Sequence, residues 1–335
     1  MTTLSLAIPV YCSSPILPEL MKAIEAERVK HQLQLEVVLV DDGSKDSSFE
    51  TLCNLQPLYP YMTCIKLARN FGHQGALRTA LEYCQGDVIG IIDDDLQDPP
   101  SLIPVFLKEL EQGYDVIYGI RQKRKEGPIK VFLYKMFYQL LKLLSEVDIP
   151  LDSGDFCLMK RSVLLSILAC EERNLFLRGI RSWVGGKQKG IEYERSERHS
   201  GESGYTFKKL FKLAFDGLLS FSNVPLRLMA FIGGTGLIFS AIYSIYILSK
   251  FFSIGVPIPG FTTLSLLIIF FGTLNLMCLG IIGEYLAKIY NEGKKRPFAI
   301  VSEVRPHHLK DFDHERNYSG RWNRNEALST HQKLL

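Results

Sequence analysis

The chain has 335 residues, a formal net charge of +3 at pH 7 and a hydrophobic content of 47%. This length allows one α/β domain with an additional element, and the charged residues are unevenly distributed, with none between Lys250 and Glu284. The seven cysteines include no Cys-x-x-Cys pair, which argues against a disulfide framework and a zinc site and favours a reducing compartment.

Short apolar runs alternate with helix-like stretches over the first 120 residues. No basic segment followed by a long apolar run begins the chain, so no cleavable signal peptide is predicted and the first domain is expected in the cytoplasm. The runs predict buried strands of a mostly parallel sheet with crossover helices. They cover residues 4–9, 35–40, 62–67, 88–92 and 116–118.

Polar residues or turn formers follow four of these strands. They are Tyr11, the run from Asp41 to Ser44, the run from Arg69 to Gly72, and the run from Asp93 to Asp95. In open parallel sheets the ligand crevice lies at the carboxyl ends of the strands. Asp-Gly and Asn-Phe-Gly can each serve simply as turns, but four such groups in register predict a ligand site.

The acidic run after the fourth strand is the sharpest of these signals. Asp93 and Asp95 are two residues apart, so on an extended segment they point to the same side, whereas Asp94 turns away. Hard carboxylate ligands of this kind predict a site for Mg²⁺ or Mn²⁺. The structural alternative is an acidic turn stopped by Pro99 and Pro100.

Two basic amphipathic segments follow, at residues 130–144 and 207–221. Their apolar and lysine-rich faces suit a membrane interface, although a helix that packs on a soluble core has a similar pattern.

Two uncharged runs, residues 228–249 and 261–283, flank a turn that contains Gly255 and Pro257. At 1.5 Å per residue each is long enough to cross a hydrocarbon core of about 30 Å. We therefore predict a transmembrane hairpin rather than a buried soluble one. Small residues in the first run, such as Gly233 and Gly236, are compatible with self-association into a homo-oligomer.

Basic residues flank the hairpin on both sides, whereas its turn offers only Lys250. They are Lys208, Lys209, Lys212 and Arg227 before it, and Lys288, Lys294, Lys295 and Arg296 after it. The positive-inside rule predicts a multi-pass protein of the inner (cytoplasmic) membrane, with the N-terminal domain and both termini in the cytoplasm. The polar residues after Pro306 predict a poorly ordered tail.

Several motifs together resemble those of the family 2 inverting glycosyltransferases, which have the GT-A (Rossmann-like) fold. The resemblance extends over residues 4–300 and is closest to the polyprenyl-phosphate branch, which includes bactoprenol glucosyltransferases and dolichol-phosphate mannose synthases. Its motifs are Pro9–Tyr11, Val40–Ser44, Arg69–Gly72, Asp93–Pro100, Ser153–Phe156, Gly201–Tyr205 and Gly283–Tyr285.

The resemblance and the patterns above predict four regions. Residues 1–205 would form a cytoplasmic GT-A catalytic domain, with an interfacial helix at about 130–144. Residues 206–226 would form a second interfacial helix, residues 227–288 the two transmembrane helices (about 228–249 and 262–284), and residues 289–335 a cytoplasmic tail.

The resemblance also implies a donor site. Pro9, Tyr11 and Asp41 would hold the nucleotide base, with Asp41 accepting a base N–H. The metal and, through it, the diphosphate would be bound by Asp93, Asp95 and Gln97. One departure is that Cys12 and Ser13 stand where the family usually has Asn-Glu after the Pro-Val-Tyr motif.

Phosphate-holding groups are implied by the same resemblance. They are Arg121, Arg198, Ser203 and Tyr205, whose guanidinium and hydroxyl donors suit this role. The alternative for the basic run from Arg121 to Lys125 is a solvated loop or a patch that binds anionic lipid.

Asp155 is implied as a catalytic carboxylate. The acceptor phosphate of the implied reaction is largely a dianion at pH 7 and needs little help from a base. Asp155 can therefore act as a base, or it can orient an acceptor-binding arginine or the sugar; the sequence leaves its role open.

The implied reaction transfers a sugar from a UDP-sugar to polyprenyl (undecaprenyl) phosphate at the membrane, with inversion at the anomeric carbon, for cell-surface glycan modification. Glucose is the family-weighted choice of sugar, and no nucleic-acid partner is expected. One rival is a processive polysaccharide synthase, which would need a polymer-gripping motif and a channel. The other is a noncatalytic membrane protein that binds nucleotide sugar or lipid.

Overall fold

The computed structural model describes residues 2–122, 153–170, 172, 177–194 and 260–307, together with individual residues between 231 and 253. The chain divides into two units. One comprises Met1–Tyr134, Val147–Gly204 and Arg296–Leu335, and the other comprises Lys135–Glu146 and Tyr205–Lys295. The two predicted interfacial helices lie outside the described residues.

The first unit contains an eight-stranded sheet. Its described strands are β1 (Thr3–Val10), β2 (Gln34–Asp41), β3 (Met62–Leu67), β4 (Val88–Ile91), β5 (Val116–Gln122), β6 (Ser153–Lys160), β7 (Gln188–Glu194) and β8 (Val301–Arg305). Its described α-helices are α1 (Leu17–His31), α2 (Ser48–Leu55), α3 (His73–Tyr83), α4 (Ile103–Glu111), α5 (Arg161–Ala169) and α6 (Leu177–Val184).

The strand order is β7-β5-β6-β4-β1-β2-β3-β8. β1 pairs in parallel with β2 and β4, β2 with β3, and β5 with β7. Two strands run the other way: β6 is antiparallel to β4 and β5, and β8 is antiparallel to β3. The predicted mostly parallel α/β sheet is confirmed, and each of the five predicted strands is present.

Both faces of the sheet are covered, which explains why its central strands β1 to β4 are apolar runs without alternation. Along β1, Leu6 and Ile8 pack against α1, α2 and α4 on one face, whereas Ala7 packs on the other face with α3, α5 and α6. The unit is therefore a three-layer structure, and a ligand crevice is expected at the strand ends rather than on a sheet face.

The residues after the apolar helix complete this sheet. The sequence predicts a tail over residues 289–335, but Val301–Arg305 forms β8 and covers the edge of β3. His307 lies buried beside Glu36 of β2, with Nε2 3.3 Å from Oε1. The five residues of β8 are partly buried or exposed, so they carry too weak an apolar signal to be recognised as a strand. The pairing partner lies more than 230 residues earlier in the chain.

In the second unit, helix α7 runs from Phe261 to Gly293. Among the described residues, one helix is long and apolar enough to cross a membrane, Phe270–Gly293. The helix extends beyond residue 284, the predicted end, because Glu284 and Lys288 end the apolar run but are good helix formers. The described residues between 231 and 253 are helical. A two-span hairpin and its orientation stay predictions.

Candidate active site

The sheet register brings four of the predicted site residues to one edge. Tyr11, Asp41 and Asp93 lie at or just beyond the carboxyl ends of β1, β2 and β4, which are adjacent parallel strands. β6 runs in the opposite direction beside β4 and pairs Cys157 with Ile91. Extending this register by two residues places Asp155 opposite Asp93, so a carboxylate from the start of β6 joins the strand-end group.

Asp41 is fully buried at the end of β2. Its Oδ2 accepts a hydrogen bond from the Ser44 N–H (3.3 Å), while Oδ1 has no hydrogen-bond partner among the described residues. Burial raises the pKa of Asp41, and the hydrogen bonds from Ser44 and the charge of Lys66 only partly oppose this effect. A buried carboxylate oxygen without a donor is costly, so Oδ1 is suited to a ligand N–H. Pro9 lies buried in β1, whereas Tyr11 is 46% exposed.

The next two residues, Asp42 and Gly43, connect the loops that follow β2 and β3. Both oxygens of Asp42 accept backbone N–H groups, from Phe71 (2.6 Å) and Gly72 (2.9 Å). Gly43 has φ +65°, and a Cβ there would lie 2.5 Å from the carbonyl carbon of Arg69. The loops after β2 and β3 therefore approach so closely that only glycine fits.

Asp94 makes a similar connection between the loops after β1 and β4. Its Oδ2 accepts hydrogen bonds from the Ser13 hydroxyl (2.6 Å) and the Tyr11 N–H (3.2 Å). These two bonds hold the Asp94 carboxylate against the loop after β1. Ser13 belongs to the Cys12-Ser13 departure from the family pattern, and its hydroxyl serves to fix the acidic loop.

The predicted metal ligands lie in that acidic loop. Asp95 Oδ1 accepts the Gln97 N–H (3.1 Å), and the buried Asp93 Oδ1 and Gln97 Oε1 have no hydrogen-bond partner among the described residues. Burial raises the pKa of Asp93 to about 6, His73 opposes this, and Asp98, Asp155 and Asp95 reinforce it. Unsatisfied oxygens and crowded carboxylates fit a bound cation. Within the described ranges, no group of three His, Cys, Asp or Glu side chains forms a metal-binding cluster by itself.

Asp155 is almost fully buried and surrounded by donors. Arg178 Nε lies 2.7 Å from Oδ1 and Arg178 Nη2 lies 3.3 Å from Oδ2, while His73 Nε2 and Gln74 Nε2 each lie 3.5 Å from Oδ2. Burial alone would raise the pKa of Asp155, but the bonds and charges of His73 and Arg178 outweigh it and hold the pKa well below its usual range. Asp155 is therefore an ionised carboxylate.

His73 stands between the two carboxylates. Its Nε2 is 3.5 Å from Asp155 Oδ2 and 3.8 Å from Asp93 Oδ1, and the second distance is too long for a hydrogen bond. Desolvation lowers the pKa of His73, but Asp155 and Asp93 together raise it above its ordinary value. A cationic imidazole would reduce the repulsion between the two carboxylates.

The described structure does not include the side chains of the four predicted phosphate-holding residues. Arg121 lies in β5, paired with Tyr193 of β7, but its side chain is outside the described part. Arg198, Ser203 and Tyr205 lie outside the described residues altogether. Their roles stay predictions.

Sequence reasoning missed three residues of this site, His73, Gln74 and Arg178. His73 and Gln74 directly follow the Asn-Phe-Gly motif, at the start of α3. Their position next to a strand-end motif could have identified them as site residues. Arg178 carries no such signal, because only the packing of α6 brings it to Asp155.

The chain resembles known proteins over most of its length. Residues 5–168 match the model described as Glycosyl transferase family 2. The chain is 40% identical to the uncharacterised glycosyltransferase YkcC of Bacillus subtilis, covering 89% of this chain and 93% of the relative. It is 35% identical to the prophage bactoprenol glucosyl transferase homologue of Escherichia coli, covering 90% and 99%. Among solved structures, the mannosyl-3-phosphoglycerate synthase of Rubrobacter xylanophilus is 18% identical, with a TM-score of 0.42 and coverage of 68% and 74%.

Proposed function

Because the chain belongs to glycosyl transferase family 2, we propose that it transfers glucose from UDP-glucose to polyprenyl phosphate with inversion at the anomeric carbon. The observation that carries this proposal is the 35% identity to bactoprenol glucosyl transferase relatives over 97–99% of their length. The similarity therefore extends through the C-terminal apolar region, and a lipid acceptor would account for that region.

In this proposal the nucleotide base contacts Pro9, Tyr11 and Asp41. The buried Asp41 Oδ1, which lacks a donor among the described residues, would accept the N3–H of uracil. Cytosine has an acceptor at N3, so a carboxylate at this position favours uracil over cytosine. The half-exposed Tyr11 ring would lie against the base or ribose.

Asp93, Asp95 and Gln97 would hold Mg²⁺ or Mn²⁺. When bound, the cation would offset the charge on the leaving diphosphate. Mg²⁺ commonly takes one or two protein carboxylates together with substrate phosphate oxygens, so a site that is incomplete without the nucleotide is consistent with this role. Arg121, Arg198, Ser203 and Tyr205 are proposed to hold phosphate groups.

The acceptor phosphate would attack the anomeric carbon from the face opposite the departing diphosphate. Because this phosphate is largely a dianion at pH 7, positioning and electrostatics would supply most of the rate enhancement. Asp155, ionised and held by Arg178 and His73, would orient the groups around the transfer point. Its low pKa makes it a weak base, so an orienting role is favoured over proton abstraction.

The acceptor is a lipid, so we propose that the protein works at the cytoplasmic face of the inner membrane. Apolar helix α7 and the predicted first span would anchor the chain there, and the predicted interfacial helices would hold the transfer site near the headgroups. The proposed domain boundaries are those of the sequence prediction, except that β8 is assigned to the catalytic domain.

The test is to incubate full-length protein in membranes with undecaprenyl phosphate and a panel of radiolabelled nucleotide sugars. Labelled glycolipid formed from UDP-glucose is the expected result. Labelled glycolipid from another nucleotide sugar would correct the donor, whereas donor binding without turnover would favour the noncatalytic alternative.

A further inference from the structure

Three segments that are distant in sequence meet at the Asp155 carboxylate. α3 contributes His73 and Gln74, β6 contributes Asp155 itself, and α6 contributes Arg178. The Arg178 Nε–Oδ1 distance is 2.7 Å, whereas the Gln74 and His73 contacts to Oδ2 are both 3.5 Å long. The guanidinium therefore makes the strongest contact to this carboxylate within the described residues.

Gln74 also fixes the place of Arg178 in the site. Its Oε1 accepts the N–H of Leu177 (3.3 Å), the residue before Arg178, while its Nε2 donates to Asp155. Leu177 is buried in the core beside α3 and α5. One side chain of α3 thus connects the first turn of α6 to the carboxylate that Arg178 holds, and the position of Arg178 is set by backbone as well as by charge.

We propose that Arg178 is a positioning residue for sugar transfer, acting through Asp155. It fixes the carboxylate in the orientation in which Oδ2 faces His73 and Gln74. This inference rests on the proposed function, because it requires Asp155 to lie at the transfer point.

Removing Arg178 would leave Asp155 with the long contacts to Gln74 and His73, which do not define one carboxylate orientation. A small displacement of a group at the reacting centre lowers the rate on the order of 100-fold. Because the proposed donor contacts are made by other residues, the loss should fall on kcat rather than on the KM for the donor.

The experiment compares Arg178→Ala, Arg178→Lys and wild-type full-length protein in membranes, measuring kcat, donor KM and thermal stability. The matched control is Lys189→Ala, which removes another partly exposed ion pair of the same length, Lys189–Glu109 at 2.7 Å. Arg178→Ala is also combined with Asp155→Ala to test coupling.

We expect Arg178→Ala to lower kcat on the order of 100-fold with little change in donor KM. Arg178→Lys should recover part of this loss, because an ammonium can still pair with one carboxylate oxygen. The kcat of the double variant should be no lower than that of Asp155→Ala alone, because both changes remove the same Arg178–Asp155 interaction. The control should retain wild-type kcat.

Wild-type kcat in Arg178→Ala, independent losses in the double variant, or a raised donor KM at unchanged kcat would each overturn the inference. If Arg178→Ala does not fold, Arg178→Lys decides: a lowered kcat at unchanged stability supports the inference, and wild-type kcat overturns it. If the wild-type protein makes no glycolipid, the proposed function is wrong and this inference falls with it. If the wild type is active and the variants give the contradicting results above, only this inference is wrong.

Discussion

Asp41→Asn tests the proposed base contact in the donor site. The amide oxygen of the introduced asparagine can keep the hydrogen bond from the Ser44 N–H, which Asp41 Oδ2 accepts at 3.3 Å. The new NH₂ group then takes the place of Oδ1, the oxygen that has no donor among the described residues. An acceptor becomes a donor at the position where uracil would present its N3–H.

The expected loss follows from the charge and burial of Asp41. A hydrogen bond to a charged group is worth about 1.5–3 kcal/mol, and every 1.4 kcal/mol is about a factor of ten in affinity. UDP affinity should therefore fall about 10-fold to 150-fold. CDP, which carries an acceptor at N3, should lose less or gain. Because burial raises the pKa of Asp41, a neutral amide should not reduce folding stability.

The assay is isothermal titration of UDP and CDP into full-length protein, with thermal unfolding followed in parallel. Asp87→Asn serves as the control, since Asp87 lies beside Thr3 at the amino-terminal end of the strands and accepts its N–H at 3.0 Å. The control should bind UDP as the wild type does. Unchanged UDP affinity in Asp41→Asn, or an equal loss for UDP and CDP in a folded protein, would refute the assigned contact.

Three further outcomes are expected. Asp95→Asn should abolish transfer while the protein stays folded and membrane-bound, because the change removes a metal-ligand charge from a loop rather than from the core. Turnover by this variant at saturating Mg²⁺ or Mn²⁺ would contradict the prediction, as would activity of the wild type in excess chelator. Because the pKa of Asp93 is raised to about 6, its carboxyl takes up a proton as the pH falls through that value. The concentration of Mg²⁺ needed for half-maximal activity should therefore rise below about pH 6. If this concentration were the same from about pH 5 to about pH 7, Asp93 would not be a cation ligand. A fragment ending before Arg227 lacks β8 and His307, so it should unfold at a lower temperature than the full-length protein. It should also use membrane-embedded acceptor poorly. Equal melting temperatures of the fragment and the full-length protein, measured by circular dichroism, would show that β8 is dispensable.

The first five strands could be predicted because each is an apolar run covered on both faces. The strand-end residues Asp41 and Asp93 were found for the same reason, since the ends of adjacent parallel strands meet. β8 could not be found in this way, because its pairing with β3 depends on contacts between residues more than 230 positions apart.

The roles of neighbouring acidic residues required the tertiary structure. Asp41 and Asp42 are adjacent and both buried, but Asp42 has both oxygens occupied by the N–H groups of Phe71 and Gly72. In the acidic run, alternation predicts that Asp94 turns away from Asp93, and the structure identifies the donors to Asp94 on the loop after β1. The sequence shows where the acidic residues are. The hydrogen bonds in the folded protein determine which of their carboxylates are available to a ligand.

The α/β class, the order of the parallel strands along the chain and the apolar C-terminal region can all be read from the sequence alone, because they depend on local composition and periodicity. The antiparallel course of β6 beside β4 follows only from the tertiary structure. Its register, extended two residues beyond the pair of Ile91 and Cys157, places Asp155 opposite Asp93. The tertiary structure also decided that Arg178 reaches Asp155. A side chain more than twenty residues away along the chain meets a carboxylate only through the packing of its helix, and no local pattern encodes that contact.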